Sequence, residues 1–254
     1  MVIEVRGIPV HYEEYGSGAE TALILQGWGT KAALYRDLAK HLGQYFRVLL
    51  PELPGFGETP EPKEAMDAFD YAAFTLDFLR ALHVKKTHLL GHSNGGRIML
   101  VLCSEKRDIE FDKLVFLDAA GVVAKKTFKK KMKVLLFKLG KTLLKPFPKA
   151  LEAYRQKKGS ADYRAASPVM RQTLVKLVNK DLTDLMPKIT RPSLLIWGTA
   201  DTDTPLYMAK VFEEKIPDAG LVEVPGAGHY AYLEQPGFVF RVLDSFFGTG
   251  LRVM

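Results

Sequence analysis

Largely apolar runs of strand type alternate with helical segments along most of the chain, and this alternation limits the fold more than any other feature. The runs Thr21–Leu25, Lys113–Leu117 and Ser193–Trp197 have the composition of strands buried on both faces. Between such runs, apolar residues recur at helical spacing, as they do from Tyr71 to Leu82. Buried strands that alternate with helices form a mainly parallel sheet covered on both faces. The sequence therefore predicts an α/β fold with an eight-stranded sheet.

The alternation stops after Asp118 and resumes near residue 187. Residues 121–186 show helical periodicity interrupted by prolines and glycines, but no convincing strand. We therefore expect an α/β core formed by residues 1–120 and 187–254, and a helical, lysine-rich insertion formed by residues 121–186. A chain of 254 residues is long enough to bury such a core in one domain.

The net charge of +7 is concentrated in this insertion. Residues 121–186 hold 17 Lys and Arg against four acids, whereas the rest of the chain holds 19 against 25. No aromatic–basic platform or known binding motif accompanies these lysines, so we expect no nucleic-acid partner. The insertion is then either a solvated cationic face or a surface that attracts an anionic substrate, an acidic carrier protein or anionic lipid.

Cysteine usage and the N-terminus bear on the compartment. The single Cys103 excludes an intramolecular disulfide, is typical of a reducing compartment, and lies in an apolar helical run that favours a buried thiol. Met1–Val5 has the pattern of a strand rather than of a signal peptide. No apolar stretch approaches the roughly 20 residues that cross a bilayer. These features predict a cytoplasmic protein without a transmembrane segment.

The hexapeptide Gly91–Gly96 contains the pattern Gly-x-Ser-x-Gly between a strand-type run and a buried helical run. At such a turn the serine hydroxyl stands clear of the backbone, and small neighbours let the strand and the helix approach closely. The following helix points its N-terminal amides at the site, where negative charge develops during acyl transfer. Ser93 is therefore a candidate nucleophile, provided that the chain supplies a base, an acid and oxyanion donors.

Two further residues supply a base and an acid at the carboxyl ends of later strands, where ligands bind in α/β sheets. Asp201 follows the run that ends at Trp197, and His229 lies in a glycine-rich loop after the last strand. The order Ser93, Asp201, His229 is that of nucleophile, acid and base in a nucleophile-elbow enzyme. Imidazole can take the proton of a serine hydroxyl, and a carboxylate fixes the tautomer of the imidazole.

Structural alternatives exist for these residues. Asp201 could instead cap the helix that begins near Pro205, and Asp118, at the end of an earlier strand, is a rival for the acid. His229 could be a loop histidine without a catalytic role. His92 adjoins the candidate nucleophile, and we expect it to pack away from the site.

Two backbone amides are the expected oxyanion donors. One belongs to Asn94, directly after the candidate nucleophile, and the other to Trp28 in the loop after the third strand. Gly27 and Gly29 would let this loop approach the substrate closely. The six histidines and one cysteine show no metal-ligand spacing, and the glycine loops lack a phosphate- or dinucleotide-binding pattern. We therefore expect neither a metal nor a cofactor.

Taken together, these motifs resemble those of the α/β-hydrolase fold superfamily. Two positions depart from its usual pattern, since Gln26 stands where His is most common and Glu52 where Asp is usual. A serine nucleophile, where related dehalogenases and epoxide hydrolases use Asp, implies hydrolysis of a carboxylic ester through an acyl-enzyme. The matching stretches are Leu25–Gly29, Pro51–Gly57, Gly91–Gly96, Trp197–Asp201 and Gly226–His229.

In the resembled family, an insertion at this point forms a helical cap over the active site. Between Lys125 and Lys149 the chain holds ten Lys and no acid, and apolar residues recur at helical spacing from Phe128 to Leu143. We expect this apolar stripe to face the pocket and the sheet, with its lysines outward. The candidate pocket residues are accordingly Gln26, Gly27, Phe128 and Met132.

The substrate is less well determined than the reaction. A small-molecule ester is the first candidate. The loop Gly27–Gly29 is similar to that of pimeloyl-carrier-protein methyl esterases, which makes a carrier-protein ester or a CoA thioester the second. A small-molecule receptor with little turnover, and a lyase or carbon–carbon hydrolase that uses the same three residues, are alternatives of other classes.

Overall fold

The computed structural model describes residues 1–123, 132, 136–137, 139–140, 142–150, 152, 154 and 160–249. Eight strands form one sheet within them, which confirms the predicted α/β class and strand number. The strands are β1 (Val2–Val5), β2 (Ile8–Tyr15), β3 (Thr21–Leu25), β4 (Arg47–Pro51), β5 (Lys86–His92), β6 (Glu110–Leu117), β7 (Ser193–Gly198) and β8 (Ala219–Val224).

The strands lie in the order β1-β2-β4-β3-β5-β6-β7-β8. β2 pairs antiparallel with both β1 and β4, whereas the strands from β4 to β8 in this order run parallel. β5 lies between β3 and β6, with Leu25 opposite Gly91 and Leu117 opposite His92. The carboxyl ends of the parallel strands share one edge, and the loop after β5 lies near its middle.

Helices connect the strands, as the helical spacing predicts. The helix Ala68–Ala81 (α2) begins where Asp67 accepts hydrogen bonds from the amides of Phe69 and Asp70, while the Asp70 side chain accepts from the amide of Asp67. Short 3₁₀ helices cover Ala32–Tyr35 and Thr183–Lys188. The α-helices whose ends are described are α1 (Arg36–Leu42), α2 (Ala68–Ala81), α3 (Asn94–Cys103), α4 (Ala161–Ala165), α5 (Pro168–Asn179), α6 (Leu206–Lys215), α7 (Ala231–Glu234) and α8 (Pro236–Phe247).

The sheet buries apolar side chains on both faces. In β3, Leu23 and Leu25 pack into one layer while Ala22 and Ile24 pack into the other, because successive side chains of a strand point in opposite directions. α2, α3 and α6 cover the first face, and α1 and α8 cover the second. Cys103 packs against the first layer, and burial raises the pKa of its thiol, as expected of an unreactive side chain.

The insertion lies between β6 and β7. Its described residues include α4 and α5 but no strand, and Met170 and Leu177 of α5 pack into the core. The expected apolar stripe differs from the structure where it is described, because Leu136, Leu139 and Leu143 are exposed, Leu143 by 75%. α5 instead supplies the apolar side chains that cover the core here. The division into a core and a cap stays a prediction.

Among the described residues, every helix is too short or too polar to cross a bilayer.

Candidate active site

Ser93 lies at the sharp turn between β5 and α3. Its backbone has φ of 48° and ψ of −111°, a strained conformation for an L-residue. A Cβ on Gly91 would lie 2.7 Å from the carbonyl carbon of Gly95, and a Cβ on Gly95 would lie 2.1 Å from the carbonyl oxygen of Leu25. The glycines on both sides of the serine are therefore required by the close approach of strand and helix.

Two backbone hydrogen bonds hold the turn at Ser93. Its amide donates to the carbonyl oxygen of Leu117 at 3.1 Å, and its own carbonyl oxygen accepts from the amide of Ala120 at 2.8 Å. Leu117 ends β6, and Ala120 follows it three residues later. The candidate nucleophile is therefore fixed relative to the neighbouring strand as well as to its own.

His229 and Asp201 are hydrogen bonded to each other. Nδ1 of His229, in the loop after β8, lies 2.9 Å from Oδ2 of Asp201, in the loop after β7. Because an ionised carboxylate can only accept, Nδ1 carries the proton, and Nε2 is the ring nitrogen that can take a proton from another group. The side chain of Asp201 is fully buried and that of His229 mostly so.

The carboxylate of Asp201 also organises its own loop. Oδ1 accepts from the amides of Asp203 and Thr204 at 2.7 and 3.0 Å, and Oδ2 accepts from the hydroxyl of Thr204 at 2.6 Å. One carboxylate thus both holds the turn before the helix near Pro205 and contacts the imidazole. These donors fix the carboxylate, so it cannot rotate away from His229 without losing them.

Opposing effects set the pKa values of this pair. Burial lowers the pKa of His229, but its hydrogen bond with Asp201 and the charges of Asp201, Asp118 and Asp203 outweigh burial and raise the pKa above 6.5. Burial raises the pKa of Asp201, but hydrogen bonds from His229 and Thr204 outweigh it and lower the pKa. The arrangement suits an imidazole that gains a proton beside a carboxylate that stays ionised.

Ser93 and His229 line one cavity of about 410 Å³. Trp28 and Asn94, whose amides are the candidate oxyanion donors, line it as well. Within the described residues, these two amides donate to no other backbone group. Their N–H groups are therefore free to donate to an oxyanion. The structure therefore brings the candidate nucleophile, base and oxyanion donors to one cavity, with Asp201 hydrogen bonded to the base.

The candidate pocket residues lie in different places. Gly27 lines the cavity. Gln26 is fully buried, and its Nε2 donates to the carbonyl oxygen of Thr30 at 2.8 Å, so its side chain holds the loop rather than contacting the cavity. Met132 is 41% exposed and is absent from the described lining of the cavity, whereas Phe128 lies outside the described residues.

An apolar wall of the cavity comes from α5, whose residues were not among the expected pocket residues. Leu174, Leu177 and Val178 line the cavity from this helix. Their spacing of three and four residues places them on one helical face. The sequence contains a helix N-cap residue here, Ser167. In the structure its hydroxyl accepts from the amide of Met170 at the beginning of α5.

His92 is 1% exposed and packs among aromatic rings, as expected of a packing residue, but it also contacts the loop of the candidate base. Its Nε2 lies 2.8 Å from the carbonyl oxygen of His229, and its Nδ1 lies 2.9 Å from the hydroxyl of Tyr35. A carbonyl oxygen only accepts, so Nε2 carries the proton and Nδ1 accepts from Tyr35. Burial, followed by the nearby His229, lowers the pKa of His92 to about 3 and keeps the ring neutral.

Asp118, the rival acid, has a different position. It is fully buried, and its carboxylate accepts from the amides of Gly198 and Ala231 at 2.8 and 3.2 Å. Burial raises the pKa of Asp118 to about 7. Its charge contributes to the raised pKa of His229, but the hydrogen bond to that imidazole comes from Asp201.

Two groups of side chains within the described residues have ligand atoms close enough together to hold a metal ion. In the group at the cavity, the acid and the imidazole already bind each other. The second group lies at the amino edge of the sheet, away from the cavity. The groups are Asp201, Asp203 and His229 at the cavity, and Glu20, His88 and Asp112 at the amino edge.

Comparison with known proteins gives a consistent result. The chain is 25% identical to the uncharacterized hydrolase YugF of Bacillus subtilis over 269 residues, with 95% of each chain covered. It is 23% identical to the pimeloyl-[acyl-carrier protein] methyl ester esterase of Aeromonas hydrophila over 256 residues, which cover 94% of this chain and 99% of that protein.

A solved structure has the same fold. The esterase of Exiguobacterium antarcticum matches with a TM-score of 0.76 at 23% identity, over 96% of this chain and 98% of the esterase. The sequence profile of the α/β hydrolase fold matches residues 22–236, which include Ser93, Asp201 and His229. By this match, which covers most of the sheet and the whole candidate site, the chain belongs to the α/β hydrolase fold family.

Proposed function

We propose that the protein is a serine hydrolase that cleaves carboxylic esters through an acyl-enzyme. The observation that carries this proposal is the hydrogen bond between Nδ1 of His229 and Asp201, which leaves Nε2 to accept a proton on the cavity that Ser93 lines. Relatives that are named a hydrolase and an esterase support the same reaction class.

In the proposed first half-reaction, Oγ of Ser93 attacks the ester carbonyl carbon, and its proton passes to Nε2 of His229. The carbonyl oxygen becomes negative and accepts from the amides of Trp28 and Asn94. When the intermediate collapses, the bond to the alkoxy oxygen breaks, and His229 gives its proton to that oxygen. Asp201 stabilises the imidazolium while it exists.

In the second half-reaction, water replaces the alcohol. Its oxygen attacks the acyl carbon on Ser93 and its proton passes to His229, which then returns a proton to Oγ as the acyl–oxygen bond breaks. The sum is ester plus water giving carboxylic acid plus alcohol, and the enzyme is regenerated.

Replacement of the reacting side chains tests this proposal. Ser93→Ala and His229→Ala should each lower the turnover of a short p-nitrophenyl ester at least about 1,000-fold while the far-UV circular dichroism stays unchanged. A fluorophosphonate probe should label the wild type but not Ser93→Ala. Wild-type rates in either variant would exclude the assignment. Labelling of Ser93 without turnover of any ester would favour a receptor of low turnover.

A carrier-protein ester is the second candidate substrate, and it uses the same reaction. Relatives at 23% identity are named pimeloyl-[acyl-carrier protein] methyl ester esterases. Acyl carriers of this kind would be attracted by positive charge, and the ten lysines between Lys125 and Lys149 supply it. Lys145 and Lys149 are exposed in the described part of this stretch.

Charge reversal separates the two substrate classes. Lys145→Glu with Lys149→Glu should lower kcat/KM for a carrier-bound ester and leave kcat/KM for a small neutral ester unchanged. The matched control is Lys85→Glu with Lys106→Glu, since both lysines are exposed at the amino edge of the sheet. Equal effects of the two double variants on the carrier-bound ester would remove the carrier hypothesis.

A further inference from the structure

Arg97 is a buried cation in the candidate active site. It lies in α3 four residues after Ser93, so one helical turn separates it from the candidate nucleophile. Arg97 is only 6% exposed, and it lines the same cavity. Arginine is rarely buried to this extent without an anionic partner, because removing a charge from water is unfavourable.

The described part of the chain, which contains every Asp and Glu of the sequence, forms no ion pair with this guanidinium. Within it, Nη1 of Arg97 donates to the carbonyl oxygen of Lys180 at 2.9 Å. Burial lowers the pKa of Arg97 to about 10, against the opposing charge of Asp181, so the side chain stays protonated at neutral pH. A guanidinium has five N–H donors, and this contact uses one of them.

Negative charge on the cavity lies elsewhere. Asp162 and Asp203 also line the cavity, but both are exposed. The pKa of Tyr230, the neighbour of His229, is raised first by burial and then by the charges of these two acids. The charge that acts on Arg97 comes from Asp181. The two acids that line the cavity thus form no ion pair with Arg97 in the described structure.

We propose that Arg97 forms a subsite for a carboxylate, so that the preferred substrates are half-esters of dicarboxylic acids. The inference rests on the proposed ester hydrolysis at Ser93. A planar guanidinium matches the two oxygens of a carboxylate. The apolar wall of α5, formed by Leu174, Leu177 and Val178, can contact the methylene groups between the two carbonyl carbons.

The test compares two methyl esters of equal acyl length. In a pH-stat assay, the wild type should show a higher kcat/KM for monomethyl adipate than for methyl hexanoate, which lacks the carboxylate. Arg97→Met should lower the ratio of these two values at least about 30-fold, as expected when one partner of a buried charge pair is removed. Arg97→Lys should keep part of the preference, because it retains the charge without the planar fork.

Arg241→Met is the matched control, because Arg241 is an exposed arginine of α8. It should leave the ratio unchanged. Equal kcat/KM values of the wild type for methyl hexanoate and the half-ester would overturn the subsite, and so would an unchanged ratio in Arg97→Met. Neither result would contradict ester hydrolysis.

A second measurement tests the subsite if the variants do not fold or if the esters are hydrolysed too slowly to measure. Adipate should slow the fluorophosphonate labelling of wild-type Ser93 at lower concentration than hexanoate does. Equal protection by the two acids overturns the subsite. If neither ester is hydrolysed and Ser93 is not labelled, the proposed function itself has failed.

Discussion

Nε2 of His92 donates to the carbonyl oxygen of His229 at 2.8 Å, so the residue before the candidate nucleophile holds the loop of the candidate base. The other nitrogen of the His92 ring is hydrogen bonded as well. Tyr35 donates to Nδ1 of His92 at 2.9 Å, and its oxygen accepts from the amide of Gly27 at 2.8 Å. One line of hydrogen bonds therefore joins the oxyanion loop to the loop of His229.

Removal of the Tyr35 hydroxyl should affect both stability and catalysis. Tyr35→Phe leaves the amide of Gly27 and Nδ1 of His92 without partners in a fully buried site, which should lower the free energy of unfolding by about 1–3 kcal/mol. It should also lower kcat, because the loops at both ends of the line lose a restraint. Denaturant unfolding and kcat for a neutral ester are the measurements.

Tyr71→Phe is the control for this variant. Tyr71 is equally buried, and its hydroxyl donates to the carbonyl oxygen of Pro54 at 2.9 Å, without contact to His92. A similar loss of stability with unchanged kcat is expected. Equal changes of kcat in the two variants would contradict the role given to Tyr35.

Replacement of the two buried acids should separate their roles. Asp201→Asn removes the acceptor that fixes the protonated Nδ1 of His229, and should lower kcat by about 10,000-fold. Asp118→Asn changes a group that accepts from Gly198 and Ala231, and should act mainly on stability. Steady-state kinetics and thermal unfolding measure the two effects. A larger loss of kcat in Asp118→Asn would identify Asp118 as the acid.

The pH dependence of activity should follow His229. Its imidazole must be neutral to accept a proton, and its pKa is raised above 6.5, so kcat/KM should fall as pH drops through an inflection above 6.5. Asp201→Asn removes the hydrogen bond that raises the pKa, so the inflection should move to lower pH. The pKa of His92 is about 3, so His92 adds no inflection near neutrality. A wild-type inflection below 6.5 for a neutral ester would contradict this.

The elbow should tolerate no side chain at Gly95. Gly95→Ala places a Cβ 2.1 Å from the carbonyl oxygen of Leu25, and should lower the free energy of unfolding by about 1–3 kcal/mol or more. Gly220→Ala, in β8, is the control, because nothing lies within 4 Å of the added Cβ. Denaturant unfolding should show a much smaller change there, and equal losses would contradict the close packing.

Local patterns were sufficient for most of the fold. β3 is buried on both faces, so Thr21–Leu25 is nearly all apolar and is recognised without its neighbours. β6 begins three residues before the predicted start, because Glu110–Asp112 at its amino end carry no continuous apolar signal. α7, Ala231–Glu234, is one turn long and is too short to show a helical period.

The same limit applies to the site. The sequence predicts that three candidate residues follow strands, because each lies in a recognisable motif; these are Ser93, Asp201 and His229. The role of His92 could not be predicted, because its hydrogen-bond partner, the carbonyl oxygen of His229, lies 137 residues away in the sequence. The apolar stripe that includes Leu143 shows the complementary limit: helical spacing gives a shared face, but not the surface that this face contacts.

The apolar wall from α5 has a consequence for how specificity can change. The candidate reacting groups all lie on loops of the sheet, whereas Leu174, Leu177 and Val178 belong to a helix between β6 and β7. Their side chains can be exchanged without moving the hydrogen bond between His229 and Asp201. The proposed reacting groups and the apolar wall of the cavity thus lie in separate stretches of the chain, so we expect changes in α5 to alter the preference for acyl length while Ser93, Asp201 and His229 are retained.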